Sequence, residues 1–546
     1  MMNLPEFAFS SRRSPVLGRG GMVAASQPLA AAAGVKILAA GGSAADAAVA
    51  TAAALNVTEP TSTGLGGDAF ALFYEASTRR VYALNGSGRA PAALSLERLQ
   101  REGFRQQLPP YHPYTITVPG ACAAWCDIVE RFGTLSMAEV LAPARRLAEE
   151  GFPVAPLTAW YWQRATDGQL RQAVNGVELT IEGRGPQPGE MFRNPGLARS
   201  FDQIARGGKR AFYEGPIAES ISAVIQEAGG CLMQSDLAAH HSTWEEAIRV
   251  AYHDLHIWEC PPNGQGLAAL LALNLLAGFD LAVLDPLSPE RMHLEIEAMR
   301  LAFADAFHYV ADPAFSPAPL ADLLSPAYAA ERRKQIDPRR ANHRLEHGVP
   351  LASSDTVYFS VVDGAGNACS FINSNYMGFG TGIVPRGWGF SLQNRGHNFR
   401  LEAGHPNTLE PGKRPYHTII PAMATRAADD SLFASFGVMG GFMQPQGHMQ
   451  VVVGLADDRL DPQAALDRPR FCIEPDPEKT GEVALEEGIP FRTLAALAEK
   501  GHPVRPVSGM GRGLFGRGQI IYRDSQSSAL WGGSDPRADG CAMCLE

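Results

Sequence analysis

Thr356-Val357-Tyr358-Phe359-Ser360-Val361-Val362, followed by Asp363-Gly364-Ala365-Gly366-Asn367 and then Ala368-Cys369-Ser370-Phe371-Ile372, is the stretch on which the reading of this chain turns. Two β-branched and aromatic runs of strand length flank a strong turn signal, which predicts a β-hairpin. Its register has a chemical consequence. If Asp363 faces Asn367, antiparallel pairing sets Thr356 opposite Ser374 and two hydroxyls meet at the open end of the hairpin. If Asp363 faces Ala368, Thr356 falls opposite Asn375. A hydroxyl is a poor nucleophile until a neighbour takes its proton. A chain cut at Asp355–Thr356 would expose a threonine amine beside its own hydroxyl, and that amine can act as the base. A threonine at a strand start is also an ordinary structural choice, so the hairpin alone does not assign a nucleophile.

Upstream, residues 333–355 carry Arg332-Arg333-Lys334, Pro338-Arg339-Arg340 and His347-Gly348-Val349-Pro350 without apolar periodicity. They predict an exposed, mobile, easily cut segment. Downstream, Gly440-Gly441 follows a predicted strand. Such a turn can present backbone N–H groups to a developing oxyanion, although a plain turn has the same sequence. Further strands are expected at 417–425, 431–437, 450–454 and 518–523, with helices at 462–468 and 492–500.

Towards the N-terminus, residues 27–55 read as two alanine-rich helices broken at Gly41-Gly42. Glu59-Pro60-Thr61-Ser62-Thr63-Gly64-Leu65-Gly66-Gly67-Asp68 is a glycine-rich loop that enters a strand rather than a helix, and it lacks both GxGxxG spacing and a phosphate-loop lysine. Strands are expected at 69–74 and 81–84 and a hairpin at 248–259. Helices are expected at 122–132, 137–150, 217–227, 267–276 and 286–310, and a turn at Gly207-Gly208. The chain is mixed α and β, without internal repeats.

The 546 residues, 45% of them hydrophobic, can bury an ordinary globular core and argue against disorder. A formal net charge of -10 with no basic helical stripe makes a nucleic-acid partner a poor expectation. No apolar run is long enough to span a membrane, and the first residues lack the order of a secretory signal, so the cytoplasm is the expected location. Eight cysteines are too sparse for a disulfide scaffold. Cys541-Ala-Met-Cys544 is a lone CxxC pair and a weak metal or redox signal, while Cys122 and Cys126 suit one buried helix face. The scattered histidines, His240-His241, His253, His256, His405, His417 and His448, form no ligand spacing. No metal or organic cofactor is expected.

Taken together, Thr356-Val-Tyr-Phe-Ser-Val-Val-Asp363, Gly366-Asn367 and Gly378-Phe-Gly-Thr-Gly-Ile-Val384 resemble the γ-glutamyltransferase family of N-terminal-nucleophile hydrolases. Supporting pieces are Glu59 to Gly67, Val118-Pro119-Gly120, Phe212 to Ala218, Pro261-Pro262-Asn263, Met439-Gly440-Gly441 and Gly533 to Arg537. The resemblance implies an α+β fold, the four-layer αββα sandwich, made as one precursor. Autocatalytic cleavage between Asp355 and Thr356 would leave a large subunit of residues 1–355 and a small subunit of residues 356–546, intertwined in one fold, with a dimer of such heterodimers as one possible assembly. It implies Thr356 as nucleophile, Ser374 in place of a threonine that hydrogen-bonds it, and Gly440 and Gly441 as the oxyanion hole.

The resemblance also locates departures. The acid that grips the α-amino group of a glutamyl donor is replaced by Asn398 in Gln393-Asn394-Arg395-Gly396-His397-Asn398-Phe399, and an amide brings no charge to pair with an ammonium. An asparagine of the family is Tyr376 here. Two carboxylate-binding serines are His417 and Thr418. The family's carboxylate-binding arginine is Ser87, with Arg89 close by. An altered amino-acid grip points to a small anionic amide, with Arg89 and Arg395 as carboxylate clamps, and is similar to the branch that includes oxamate amidohydrolase. The expected function is therefore hydrolysis of oxamate to oxalate and ammonia. The alternatives are a γ-glutamyltransferase or glutathione hydrolase, and a non-catalytic structural or binding relative.

Overall fold

The computed structural model describes residues 13–342, 355–474 and 481–545. Two seven-stranded sheets make its centre. The first runs in the order Cys541–Cys544, Gly21–Ala25, Asp355–Asp363, Ala368–Tyr376, Asp68–Glu75, Arg80–Gly86 and Thr243–Glu246. The second runs Val16–Gly18, Leu530–Ser534, Gly518–Arg523, Leu432–Val438, Ala422–Arg426, Leu255–Glu259 and Ile248–Tyr252. Both sheets are antiparallel throughout. Strands from before and after residue 355 lie beside one another in each sheet.

Both sheets are covered on both faces, which explains why their strands read as unbroken apolar runs. In the strand Asp355–Asp363, Val357, Phe359 and Val361 pack with helices Pro28–Ala39, Ala44–Thr58 and Ala121–Phe132. Tyr358 and Val362 turn the other way and meet Met423, Leu432 and Ile521 of the second sheet. Helices Gly266–Leu276, Pro289–Tyr309 and Met443–Ala456 cover that sheet's outer side. The layers are helix, sheet, sheet, helix, as the four-layer sandwich requires.

Local rules place the helices. Ser43 and Asp46 form a reciprocal capping box that starts Ala44–Thr58, so Gly41-Gly42 separates two helices as expected. The hairpin 355–376 takes the register in which Asp363 N–H donates to the Asn367 carbonyl and Val357 faces Asn373.

Two expectations need correction. Residues 450–454 are not a strand but part of the helix Met443–Ala456. Val451-Val452-Val453 is a short β-branched run inside a helix buried on almost every side, where periodicity cannot separate the two states. Between 417 and 425 only Ala422–Arg426 is strand, because 417–421 turn aside to make loop contacts. The expected turn at Gly207-Gly208 is present: Gly208, at φ +58 and ψ -152, kinks the chain between two helical pieces of Pro195–Tyr213, a conformation that glycine accepts without a Cβ clash. The stretch 333–355 begins in the helix Pro326–Arg333, and residues 343–354 lie outside the described residues. Cys541 and Cys544 sit on one strand. Residues three apart on a strand face opposite sides, so the pair does not converge.

Candidate active site

Thr356, Ser374 and Asp68 stand on three adjacent strands. Thr356 Oγ1 donates to Ser374 Oγ at 3.1 Å, and Ser374 is the direct cross-strand partner of Asp68. All three are fully buried and belong to the face turned towards the second sheet. The two hydroxyls therefore meet as the first of the two hairpin registers predicts. Ser374 Oγ also accepts the Tyr376 N–H at 2.8 Å and Arg395 Nη2 at 3.1 Å.

Arg395, on the short turn Arg395–Asn398, is fully buried. Its Nη1 donates to Thr418 Oγ1 at 2.7 Å, and the guanidinium lies 4.4 Å from the centre of the Tyr376 ring. Its Nε has no hydrogen-bond partner among the described residues, and no carboxylate among them lies within ion-pair distance of it. Burial pulls its pKa down to about 10, against the attraction of Asp68. Such a guanidinium, charged and incompletely partnered, is a ready fork for a carboxylate.

Tyr376 lies against this guanidinium with the face of its ring. It is fully buried at φ +80, a conformation unusual for an aromatic residue. Asn398 turns its amide to the Tyr416 carbonyl at 3.1 Å. His417 Nε2 contacts Asp68 Oδ2 at 2.9 Å, while its Nδ1 accepts the Ile419 N–H at 3.4 Å, which puts the proton on Nε2. Burial, with Arg395 and Arg414 nearby, holds the imidazole neutral by pushing its pKa well below the usual histidine value. Of the two arginines expected as clamps, only Arg395 reaches the hydroxyl pair. Arg89 is half-buried and donates to the His241 carbonyl at 3.5 Å.

Gly440 and Gly441, at φ +121 and +60, bend the chain between the strand Leu432–Val438 and the helix Met443–Ala456. Neither N–H is hydrogen-bonded within the described residues, and both stand at a helix N-terminus, where negative charge is favoured. Gln265 ties this turn to the loop that carries Thr418: its Nε2 donates to the carbonyls of Thr418 at 2.6 Å and Gly441 at 2.8 Å, and its Oε1 accepts the Tyr416 hydroxyl at 3.0 Å. Gln265 and Asp68 were not marked by sequence pattern. Asp68 closes the glycine-rich loop at the head of a strand, and that placement was the one available signal. Among the described residues no group of three His, Cys, Asp or Glu side chains could hold a metal ion.

A family model described as gamma-glutamyltranspeptidase matches residues 30–545. The chain belongs to the gamma-glutamyltranspeptidase family. It is an enzyme of the N-terminal-nucleophile hydrolase type. The non-catalytic alternative has no support from these matches. A gamma-glutamyltranspeptidase-family relative, the glutathione hydrolase-like YwrD proenzyme of Bacillus subtilis, is 35% identical over 97% of this chain and 99% of its own length. The oxamate amidohydrolase proenzyme of Klebsiella pneumoniae is 31% identical over 96% of this chain and 98% of its own. Among solved structures, cephalosporin acylase from Bacillus halodurans superposes with a TM-score of 0.93 at 46% identity, covering 100% of this chain and 99% of that one. These relatives do not single out the oxamate branch. No described helix is long and apolar enough to cross a membrane.

Proposed function

We propose that the protein is a self-cleaving amide hydrolase whose acyl substrate carries a free carboxylate, with γ-glutamyl compounds as the first class to test. Scission between Asp355 and Thr356 would divide it into chains of residues 1–355 and 356–546 and free the Thr356 amine. The Thr356 hydroxyl, its proton taken by that amine, attacks the amide carbonyl. The N–H groups of Gly440 and Gly441 receive the oxyanion. The amine half departs with a proton, and water hydrolyses the acyl-enzyme to the free acid. Ser374 positions the nucleophile, Arg395 with Thr418 holds the substrate carboxylate, and Tyr376 and His417 bound the pocket.

The observation that carries this reading is the chain Thr356 Oγ1, Ser374 Oγ, Arg395 Nη2, with each step at 3.1 Å. It sets an under-partnered cation one hydroxyl away from the nucleophile. The glutathione hydrolase-like relative, at 35% identity, favours γ-glutamyl amides over oxamate at 31%. Oxamate remains the second reading, supported by the shortness of that chain and by Asn398, which offers no charge to an ammonium.

Steady-state rates with glutathione, a γ-glutamyl anilide and oxamate, alongside intact-mass analysis, test this. Two fragments and turnover of the γ-glutamyl compounds are expected. Turnover of oxamate alone would overturn the first reading in favour of the second, and an active, unbroken chain would overturn the mechanism.

A further inference from the structure

Asp68 is the acid that acts most strongly on Arg395, yet it does not pair with it directly. Its Oδ1 accepts from the N–H groups of Gly88 at 2.9 Å and Gly120 at 3.2 Å and from Gln393 Nε2 at 3.1 Å. Its Oδ2 accepts from His417 Nε2 at 2.9 Å. These four donors fix the carboxylate in the row of side chains that contains Ser374 and Thr356, so it cannot swing to Arg395. Because His417 is neutral, it orients the carboxylate without cancelling its charge. A substrate carboxylate at Arg395 would thus lie under the repulsion of a fixed negative charge in a dry interior, where such forces are weakly screened.

We propose that Asp68, held by His417, is a positioning residue that sets the strength of the Arg395 grip on the substrate carboxylate. It keeps Arg395 from being an uncompensated buried cation, which would be costly. It also weakens the hold on the product, whose acyl half leaves hydrolysis with a second carboxylate. The inference rests on the reading of Arg395 as the carboxylate clamp.

The test compares two probes on the purified, processed protein: the 4-nitroanilide of glutaric acid and the same anilide with its free acid methylated. Asp68→Asn keeps the shape and removes the charge. It is expected to lower KM for the acid relative to the ester by about tenfold, the order set by one unit charge several ångströms away. A merely structural role would change the active fraction and Tm and leave this ratio alone. Because the new amide would face the His417 N–H, the double variant Asp68→Asn with His417→Gln, which supplies a carbonyl there, is measured in parallel. An unchanged ratio in the variant that folds, while Arg395→Ala abolishes the preference for the acid over the ester, overturns the role of Asp68. An unchanged preference in Arg395→Ala overturns the clamp itself, and this inference with it.

Discussion

Thr356 hydroxyl chemistry, the Arg395 clamp and the Asp68–His417 pair can each be tested by one substitution. Thr356→Ala should stay a single 58.4 kDa chain on a denaturing gel and release no amine from any amide. Thr356→Ser should still cleave, since the hydroxyl and the amine both survive. Arg395→Ala should raise KM for carboxylate-bearing amides by roughly a hundredfold, the usual scale for losing one partner of a buried charged contact. The pH dependence of folding has a definite sign at Asp68, whose carboxyl is pushed up to about 6, first by burial. An unfolded aspartate loses its proton near pH ~4. Between the two values the folded protein holds a proton that unfolding releases, so this group's contribution to stability falls as pH rises through that window. Thermal melts of wild type and Asp68→Asn should therefore show the gap moving in favour of the variant from pH 4 to pH 7. A gap moving the other way would contradict the placement of Asp68.

The elements that were legible in the sequence are those whose signal is local. The hairpin from Thr356 to Ile372 carries its own turn, and that turn sets the register that joins Thr356 to Ser374. The break between two helices at Gly41-Gly42 is local in the same way. The proposed grip on substrate was legible only in part. Arg395, Thr418 and His417 were pointed to by the family pattern, but Asp68 meets His417, and Gln265 meets Gly441, across long stretches of chain that no periodicity links. Val451-Val452-Val453 misled because β-branched residues also fill a helix when every face is buried. The glycine-rich loop has a packing reason of its own. A Cβ on Gly67 would lie 2.3 Å from the Ser374 carbonyl oxygen, a backbone atom that cannot step aside. Gly67→Ala should therefore push apart the strands that hold Asp68 and Ser374 and cost most of the activity, read as kcat per titrated site.

Across the whole molecule, the narrow space between the sheets is set by closely packed pieces. A Cβ on Gly437 would meet three atoms of the Tyr358 ring at 2.5 to 2.7 Å. The Tyr358 hydroxyl in turn joins Ser360 at 2.6 Å and Ser370 at 2.8 Å, and Ser360 reaches Ser435 of the facing sheet at 2.9 Å. Gly437→Ala should lower stability by about 1–3 kcal/mol, as overpacking of a filled core does, visible as a lower denaturation midpoint with an unchanged slope. The strand that begins at residue 355 lies inside its sheet, with Gly21–Ala25 on one side and Ala368–Tyr376 on the other. A nick at its start would leave both pieces clasped without a covalent tie. Renaturing the nicked enzyme would then become a two-body encounter, dependent on dilution, whereas an uncleavable precursor would recover as a single body.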